Sequence, residues 1–230
     1  MWGVRPDQLR SAREAAGLTQ QRAAKRVGVS QAYLALMENG RRPVTDHVGF
    51  KMMDVYRLPA TALPLDIGDL DSWDSESLAR ALADLGYPGF RQLRGERRRN
   101  PAVVLLAAIS RNELEVRVIE SLPWLVVEYY ELDWAWLTRE AKVRDAQNRL
   151  GFVVTLGRRM AEQHGAEATR SLLREWEEVL EHARLAREDT LCQRSLSEAE
   201  QRWLRQGRPA DARHWNILTD LDVEHLSYAP

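Results

Sequence analysis

The sequence predicts an all-α protein in two parts, an N-terminal five-helix domain over 1–66 and a helical bundle over 76–230. Three observations predict it. Apolar residues recur at helical spacing, as in Leu9, Ala12 and Ala16, or Leu78, Leu82 and Leu85. Residues that start or stop helices punctuate those runs, among them Gly17, Gly28, Gly40, Asn100-Pro101 and Ser197. No run alternates Val, Ile and Thr as a half-buried strand would.

In the first part, Pro6 suits a first helical position and Gly17 the position just past a helix end, so a helix is expected from about Pro6 to Ala16. Thr19 caps a second helix, Gln20 to Val27, which Gly28 ends. Ser30 caps a third, Gln31 to Asn39, closed by Gly40. Two helices of this length joined by a short glycine-containing turn describe a helix-turn-helix. Thr45 begins a fourth helix to about Tyr56, with Val48, Met52 and Val55 inward, and a fifth turn lies around Ala60 to Leu65. The Asp- and Ser-rich stretch 67–75 reads as a linker.

Composition sets the outer limits. The chain has 230 residues, of which 44% are hydrophobic, enough for packed cores and against wholesale disorder. A single cysteine, Cys192, excludes a disulfide framework and a cysteine-based zinc site, and fits a reducing compartment. The most apolar stretch, Leu122 to Leu137, carries Glu128, Glu131 and Asp133 and is too short to span a bilayer. With no apolar leader-like run at the N-terminus, a cytoplasmic protein with no membrane partner is expected. The net charge of −1 is an average: residues 1–66 carry ten basic and six acidic side chains (+4), and 67–230 carry 23 and 28 (−5). A basic head on an acidic body is a cue for nucleic acid on one side only.

The run Gly17-Leu18-Thr19-Gln20, Ala23-Ala24, Gly28-Val29-Ser30-Gln31 and Glu38-Asn39-Gly40-Arg41-Arg42 resembles the Cro/C1 (phage-repressor, XRE-type) DNA-binding domain over residues 5 to about 65. The resemblance implies a lambda-repressor-like fold. Ala23 is small where two helices cross, and Leu18, Val27, Val29, Leu34 and Met37 fill the core beneath. It also implies an ion pair between Arg13 and Glu38 with a structural role.

Docking of such a domain places the third helix in the major groove. Gln20 then matches the position that grips a phosphate and braces the recognition helix. Gln31 matches a base-reading position, where an amide can pair both edges of adenine. Ala32 and Leu36 face bases without hydrogen-bonding capacity, which departs from the more polar family pattern and leaves them thymine methyls at most. Ser30 and Tyr33 are candidate backbone contacts, and Asn39, Arg41 and Arg42 lie where the following loop runs along phosphates. A +4 head gives weak, salt-dependent affinity alone, so a homodimer on double-stranded operator DNA is expected.

For the body, helices are expected from a Ser75 cap to Gly86, over Ala102 to Arg111 after Arg97-Arg98-Arg99 and the Asn100-Pro101 start, and over Leu114 to Leu122, broken by Pro123. Trp124 to Tyr130 follows, then one long helix from an Asp133 cap to about Gln163. Further helices cover Glu167 to Asp189, Glu198 to Gln206 behind a Ser197/Glu200 capping box, and Ala212 to Leu218. Seven of the eight tryptophans lie here, mostly as core. The segment 122–136 is apolar on too many sides for one buried stripe, so Trp124, Tyr129, Tyr130, Trp134 and Trp136 are candidate partner-binding residues.

No catalytic or metal-binding constellation stands out, and neither a cofactor nor an enzymatic activity is expected. Arg159 and His164 echo the Arg-x4-His spacing of HEPN-type helical ribonucleases, and Arg208 to His214 has a similar spacing, but Met160 stands where a polar residue is usual. The run Glu120-Ser121-Leu122-Pro123-Trp124 through Asp133-Trp134, with Ala141-Lys142 and Gln147-Asn148-Arg149-Leu150-Gly151-Phe152, is similar to regulators associated with neighbouring nucleotidyltransferase-type toxins. The expected function is therefore a sequence-specific repressor, first read as the antitoxin of a toxin–antitoxin pair that grips its toxin through the body. A ligand-sensing regulator with a small-molecule pocket in the bundle is the rival.

Overall fold

The computed structural model describes residues 6–95 and 98–226, so Arg97 of the arginine run lies outside the described residues. The chain divides into two compact units, Met1–Asp66 (the head) and Ile67–Pro230 (the body). Both are helical, as the sequence predicts.

The head contains α1 (Pro6–Ala15), α2 (Gln20–Val27), α3 (Gln31–Glu38) and α4 (Asp46–Tyr56). Thr19 and Ser30 cap α2 and α3 by accepting from the Arg22 and Tyr33 N–H groups. Between these helices Gly28 takes φ +82°, a conformation that other residues adopt only with strain. The fifth helix shrinks to one 3-10 turn, Ala60–Ala62, because Leu63 precedes Pro64 and is held extended (φ −64°, ψ 155°). Ala23, Leu34, Met37 and Met52 are fully buried at the crossing of the helices, with Leu9, Leu18, Val27 and Tyr56 around them. Val29 sits at the edge of this core, half-buried.

The body begins earlier than a linker at 67–75 would allow. Leu70–Ser72 forms a 3-10 turn and Trp73 is buried. Then follow α5 (Ser75–Leu85), a 3-10 segment (Pro88–Leu93), α6 (Pro101–Ile109), α7 (Val116–Glu128), α8 (Trp134–Val143), α9 (Gln147–Gln163) and α10 (Glu167–Glu181). Asp74, not Ser75, caps α5, its carboxylate accepting from Ser77 N–H at 2.8 Å. The Ser75 hydroxyl instead accepts from Glu115 N–H at the start of α7.

Every residue of α6 is buried. A helix apolar all round belongs at the centre of its domain, and α6 packs against α5, α7 and α8. Asn100 caps it and Pro101 is its first residue, where a missing N–H costs nothing.

Two helices in the middle of the body differ from the sequence reading. Pro123 does not break its helix, and α7 runs continuously through it. An internal proline costs about 3 kcal/mol, but Leu122, Trp124, Leu125 and Val126 on the flanking turns are buried, each contributing roughly 1.5–3 kcal/mol. Burial outweighs the lost hydrogen bond. The long helix expected over 133–163 is two helices, turning at Arg144–Ala146 with Asp145 at φ +56°. The Ala146 N–H closes the turn on the Ala141 carbonyl at 2.9 Å.

Beyond α10 the chain adds α11 (Glu198–Gly207) with the expected capping box, α12 (Ala210–His214), and a parallel pair of two-residue strands, β1 (Asp189–Thr190) and β2 (Ile217–Leu218). The strands replace helix ends expected at 189 and 218. Close packing of α9 fixes its two glycines. A Cβ on Gly151 would lie 2.3 Å from the Trp215 ring, and one on Gly157 would lie 2.4 Å from Val126.

The aromatic segment is mostly core. Trp124 is buried with its ring centroid 5.2 Å from Tyr87 and 6.3 Å from Tyr129. Trp134 is buried and stacked on Trp176, its indole N–H donating to the Tyr130 carbonyl at 2.7 Å. These two cannot serve as partner-binding side chains, because α7, which carries Trp124, is covered by α5, α6 and α9, and α8, which begins at Trp134, packs on α6 and α9. Tyr129, Tyr130 and Trp136 remain half-exposed.

Candidate nucleic-acid interface

The site begins from a buried charge. Glu38, at the last turn of α3, is fully buried, and Arg13 of α1 reaches it through Nε at 2.7 Å and Nη2 at 3.3 Å. The remaining Arg13 donors are used too, Nη1 meeting the Leu18 carbonyl at 2.9 Å. A buried carboxylate needs its lone pairs filled, and Gln20 fills the next one, its Nε2 donating to Glu38 Oε2 at 3.0 Å. That fixes the Gln20 carbonyl outward, where it accepts from Gln31 Nε2 at 3.4 Å. The Gln31 carbonyl oxygen and its second N–H are then presented on the exposed face of α3. A side chain that donates and accepts side by side matches the major-groove edge of adenine.

Nearby groups follow from the same local folding. Gly40 takes φ +71°, and the Arg41 and Arg42 N–H groups both bond the Leu36 carbonyl, at 2.8 and 3.2 Å. This fixes the backbone from which two exposed guanidinium groups project. Asn39 is also exposed, its side-chain carbonyl held by Arg10 at 2.7 Å. Ser30 Oγ is occupied as a cap acceptor, so its own O–H is what it can offer a phosphate. Ala32 is exposed and Leu36 half-buried, while the Tyr33 ring packs on the head core. Tyr56 lies beneath. Burial, and then the Glu38 carboxylate, push its hydroxyl up to about 12.

The sequence reading missed three contributors. Arg10 lies three residues before Arg13 on the same face of α1, and that spacing was the available signal. Arg22 and Lys25 of α2 share with Gln31 a shallow groove of about 550 Å³. Both are exposed cations beside the reading residue.

In the body, the ribonuclease-like pairs do not share partners. Arg159 pairs with Asp211 at 2.9 Å, while His164 Nδ1 sits 2.8 Å from the Met160 carbonyl. Arg208 engages Glu188, and His214 engages Glu181. Among the described residues no group of three His, Cys, Asp or Glu side chains is placed to hold a metal ion, and no helix is long and apolar enough to cross a membrane.

Helix order, the glycine turn between α2 and α3, and the braced, exposed face of α3 together define a helix-turn-helix DNA-binding domain. Residues 7–65 match the family model of a helix-turn-helix domain, in agreement with an XRE-type head. The match covers about a quarter of the chain, and a helix-turn-helix domain there suggests a DNA-binding regulator. Neither the curated proteins nor the solved structures contain a match.

Proposed function

We propose that the protein is a sequence-specific transcriptional repressor that binds operator DNA as a homodimer and has no catalytic step of its own. One observation carries this reading. A hydrogen-bonded relay runs from the buried Arg13–Glu38 pair through Gln20 to Gln31, so the reading amide is oriented before DNA arrives. Pre-orientation lowers the ordering cost of binding. Gln31 then reads one adenine, Gln20, Ser30, Tyr33 and Asn39 line the backbone, and Arg41 and Arg42 supply phosphate charge. In a gel-shift assay at fixed salt, Arg41→Ala weakens all duplexes alike, whereas Gln31→Ala relaxes choice at one base pair by about 1–3 kcal/mol. Unchanged binding by both variants would remove the DNA-reading assignment.

The regulatory role that best fits the body is that of an antitoxin holding a protein toxin, and the similarity at 120–134, 141–142 and 147–152 supports it. Partner contact then falls to the half-exposed Tyr129, Tyr130 and Trp136. Co-purification of the full chain with the product of the adjacent gene tests this. Loss of that complex in Tyr130→Ala and Trp136→Ala is the expected result.

One observation favours the rival, ligand-sensing reading. A polar cleft of about 410 Å³ is lined by Ser110, Asn112 and the arginines 144, 149, 187 and 194, with three carboxylates between them. Its chemistry suits a small anion, in place of the apolar effector an aromatic bundle would take. A clean absence of the toxin complex, with a melting shift from such an anion, would favour it.

A further inference from the structure

The body, net −5 overall, concentrates positive charge in one place. Arg91, in the 3-10 segment, and Arg94 and Arg98, on the way to α6, lie within eight residues of sequence that also hold Glu96 and Arg97, and all three are exposed. Other arginines of the body are neutralised in pairs, such as Arg80 with Glu76, Arg144 with Glu140 and Arg158 with Glu177, while the exposed Arg117, Arg194, Arg202 and Arg213 have no carboxylate partner among the described residues but lie apart from one another in sequence. Among the described residues, Arg91, Arg94 and Arg98 make no such pair. Their backbone is anchored. Arg94 N–H bonds the Arg91 carbonyl at 3.3 Å, and Gly95 N–H bonds the carboxylate of Asp84. Arg99 is spent locally, its guanidinium over the Trp73 ring at 5.4 Å.

Two further features shape the local field. The N-terminus of α6, the positive end of a nine-residue helix, follows directly at Pro101. Arg94 and Arg98 also act together on Tyr129: burial and Glu128 raise its hydroxyl pKa, and Arg98 and Arg94 oppose them. Tyr129 is half-exposed, its hydroxyl donating to the Leu85 carbonyl at 2.6 Å, and the exposed Glu128 beside it is the opposing charge.

We infer that Arg91, Arg94 and Arg98 form a second phosphate-binding surface, through which the body grips the backbone of the same duplex DNA that the head reads. The inference rests on the DNA-binding reading of the head. A chain already held on DNA by one unit presents the other at high effective concentration. Phosphates repeat all along the duplex, so a basic patch needs no fixed register to find them. Exposed guanidinium groups with no carboxylate partner among the described residues are suited to this because a guanidinium is weakly hydrated and presents several donors to phosphate oxygens.

The test uses the full chain and a labelled random-sequence duplex of about 40 bp, with affinity measured by anisotropy between about 50 and 200 mM salt. Arg91→Ala/Arg94→Ala/Arg98→Ala removes three contacts, so the slope of log affinity against log salt falls by about 2.7. Over that salt range the variant then loses roughly 40-fold less affinity than wild type. The matching Arg→Lys triple keeps the wild-type slope, and circular dichroism shows that all variants remain folded. An unchanged slope in the alanine triple overturns the inference, as does a change seen only with double-stranded RNA. The head is assayed beside it as Gln31→Ala/Arg41→Ala. If that variant alone loses binding, the second surface fails and the head reading stands. If the loop triple alone loses binding, the head reading fails.

Discussion

The head buries Arg13 against Glu38, and the body buries Arg149 against Asp189, yet the two pairs end in different places. In the head the pair leads outward. Glu38 holds Gln20, and Gln20 holds Gln31 on the exposed face of α3. In the body every contact leads inward. Arg149 grips both Asp189 oxygens, at 2.8 and 2.9 Å, and its Nη1 closes the last turn of α6 at the Ile109 carbonyl, 3.0 Å away. The same guanidinium–carboxylate geometry thus orients a reading side chain in one unit and caps a buried helix in the other. Burying a charge pair is seldom a net gain in stability. In the head the relay gives it a functional use, and in the body it satisfies carbonyls that α6, buried on all sides, cannot expose to water.

Breaking the two pairs should therefore separate fold from function. Glu38→Ala leaves Arg13 buried without its partner and should cost the head about 3–5 kcal/mol, abolishing duplex binding together with it. Arg149→Ala should cost about 3 kcal/mol, at the low end because Asp189 keeps 24% of its side chain exposed. That loss belongs to the body's unfolding transition, read by denaturant titration, with duplex affinity of the head retained. Loss of DNA binding in Arg149→Ala would erase the contrast. Next in size is Gly151→Ala, whose added methyl meets the Trp215 ring. Overpacking of this kind costs about 1–3 kcal/mol, and pairing it with Trp215→Leu should recover part of that cost in a double-mutant cycle.

The smallest effect concerns pH. Burial pushes the Cys192 thiol up to about 11 from an ordinary 9.0, so folding favours its neutral form. Body stability from this group is complete below about pH 9 and is lost as pH rises toward 11. The thiol should accordingly resist alkylation near neutral pH in the folded protein and react once Arg149→Ala opens the body. Rapid alkylation of the wild type under native conditions would contradict the packing described for Cys192.

Local chemistry made the head legible. Thr19, Ser30, Gly28 and Gly40 set the ends of α2 and α3 nearly to the residue, and the Arg13–Glu38 pair followed from the family resemblance. The relay's middle link did not, because the bond from Gln20 to Glu38 spans 18 residues and depends on how α2 crosses α3. In the body, tertiary packing overrode local signals. Pro123 reads as a stop but lies inside α7, since the burial on either side of it outweighs one missing hydrogen bond. The turn at 144–146 carries neither glycine nor proline, so nothing in its residues announced Asp145 at φ +56°. The burial of Trp124 and Trp134 was hidden for a related reason: an apolar run covered by several helices looks the same as one awaiting a partner.

The central claim, that a pre-oriented Gln31 reads DNA, is tested most directly by selecting bound duplexes from a random library with wild type and Gln31→Ala and sequencing both pools. The account predicts an enriched motif of two half-sites about one helical turn apart. It predicts an adenine in each half-site that Gln31→Ala no longer requires, while the rest of the motif persists. Recovery of an identical motif by both proteins, or of no motif by the wild type, would contradict it.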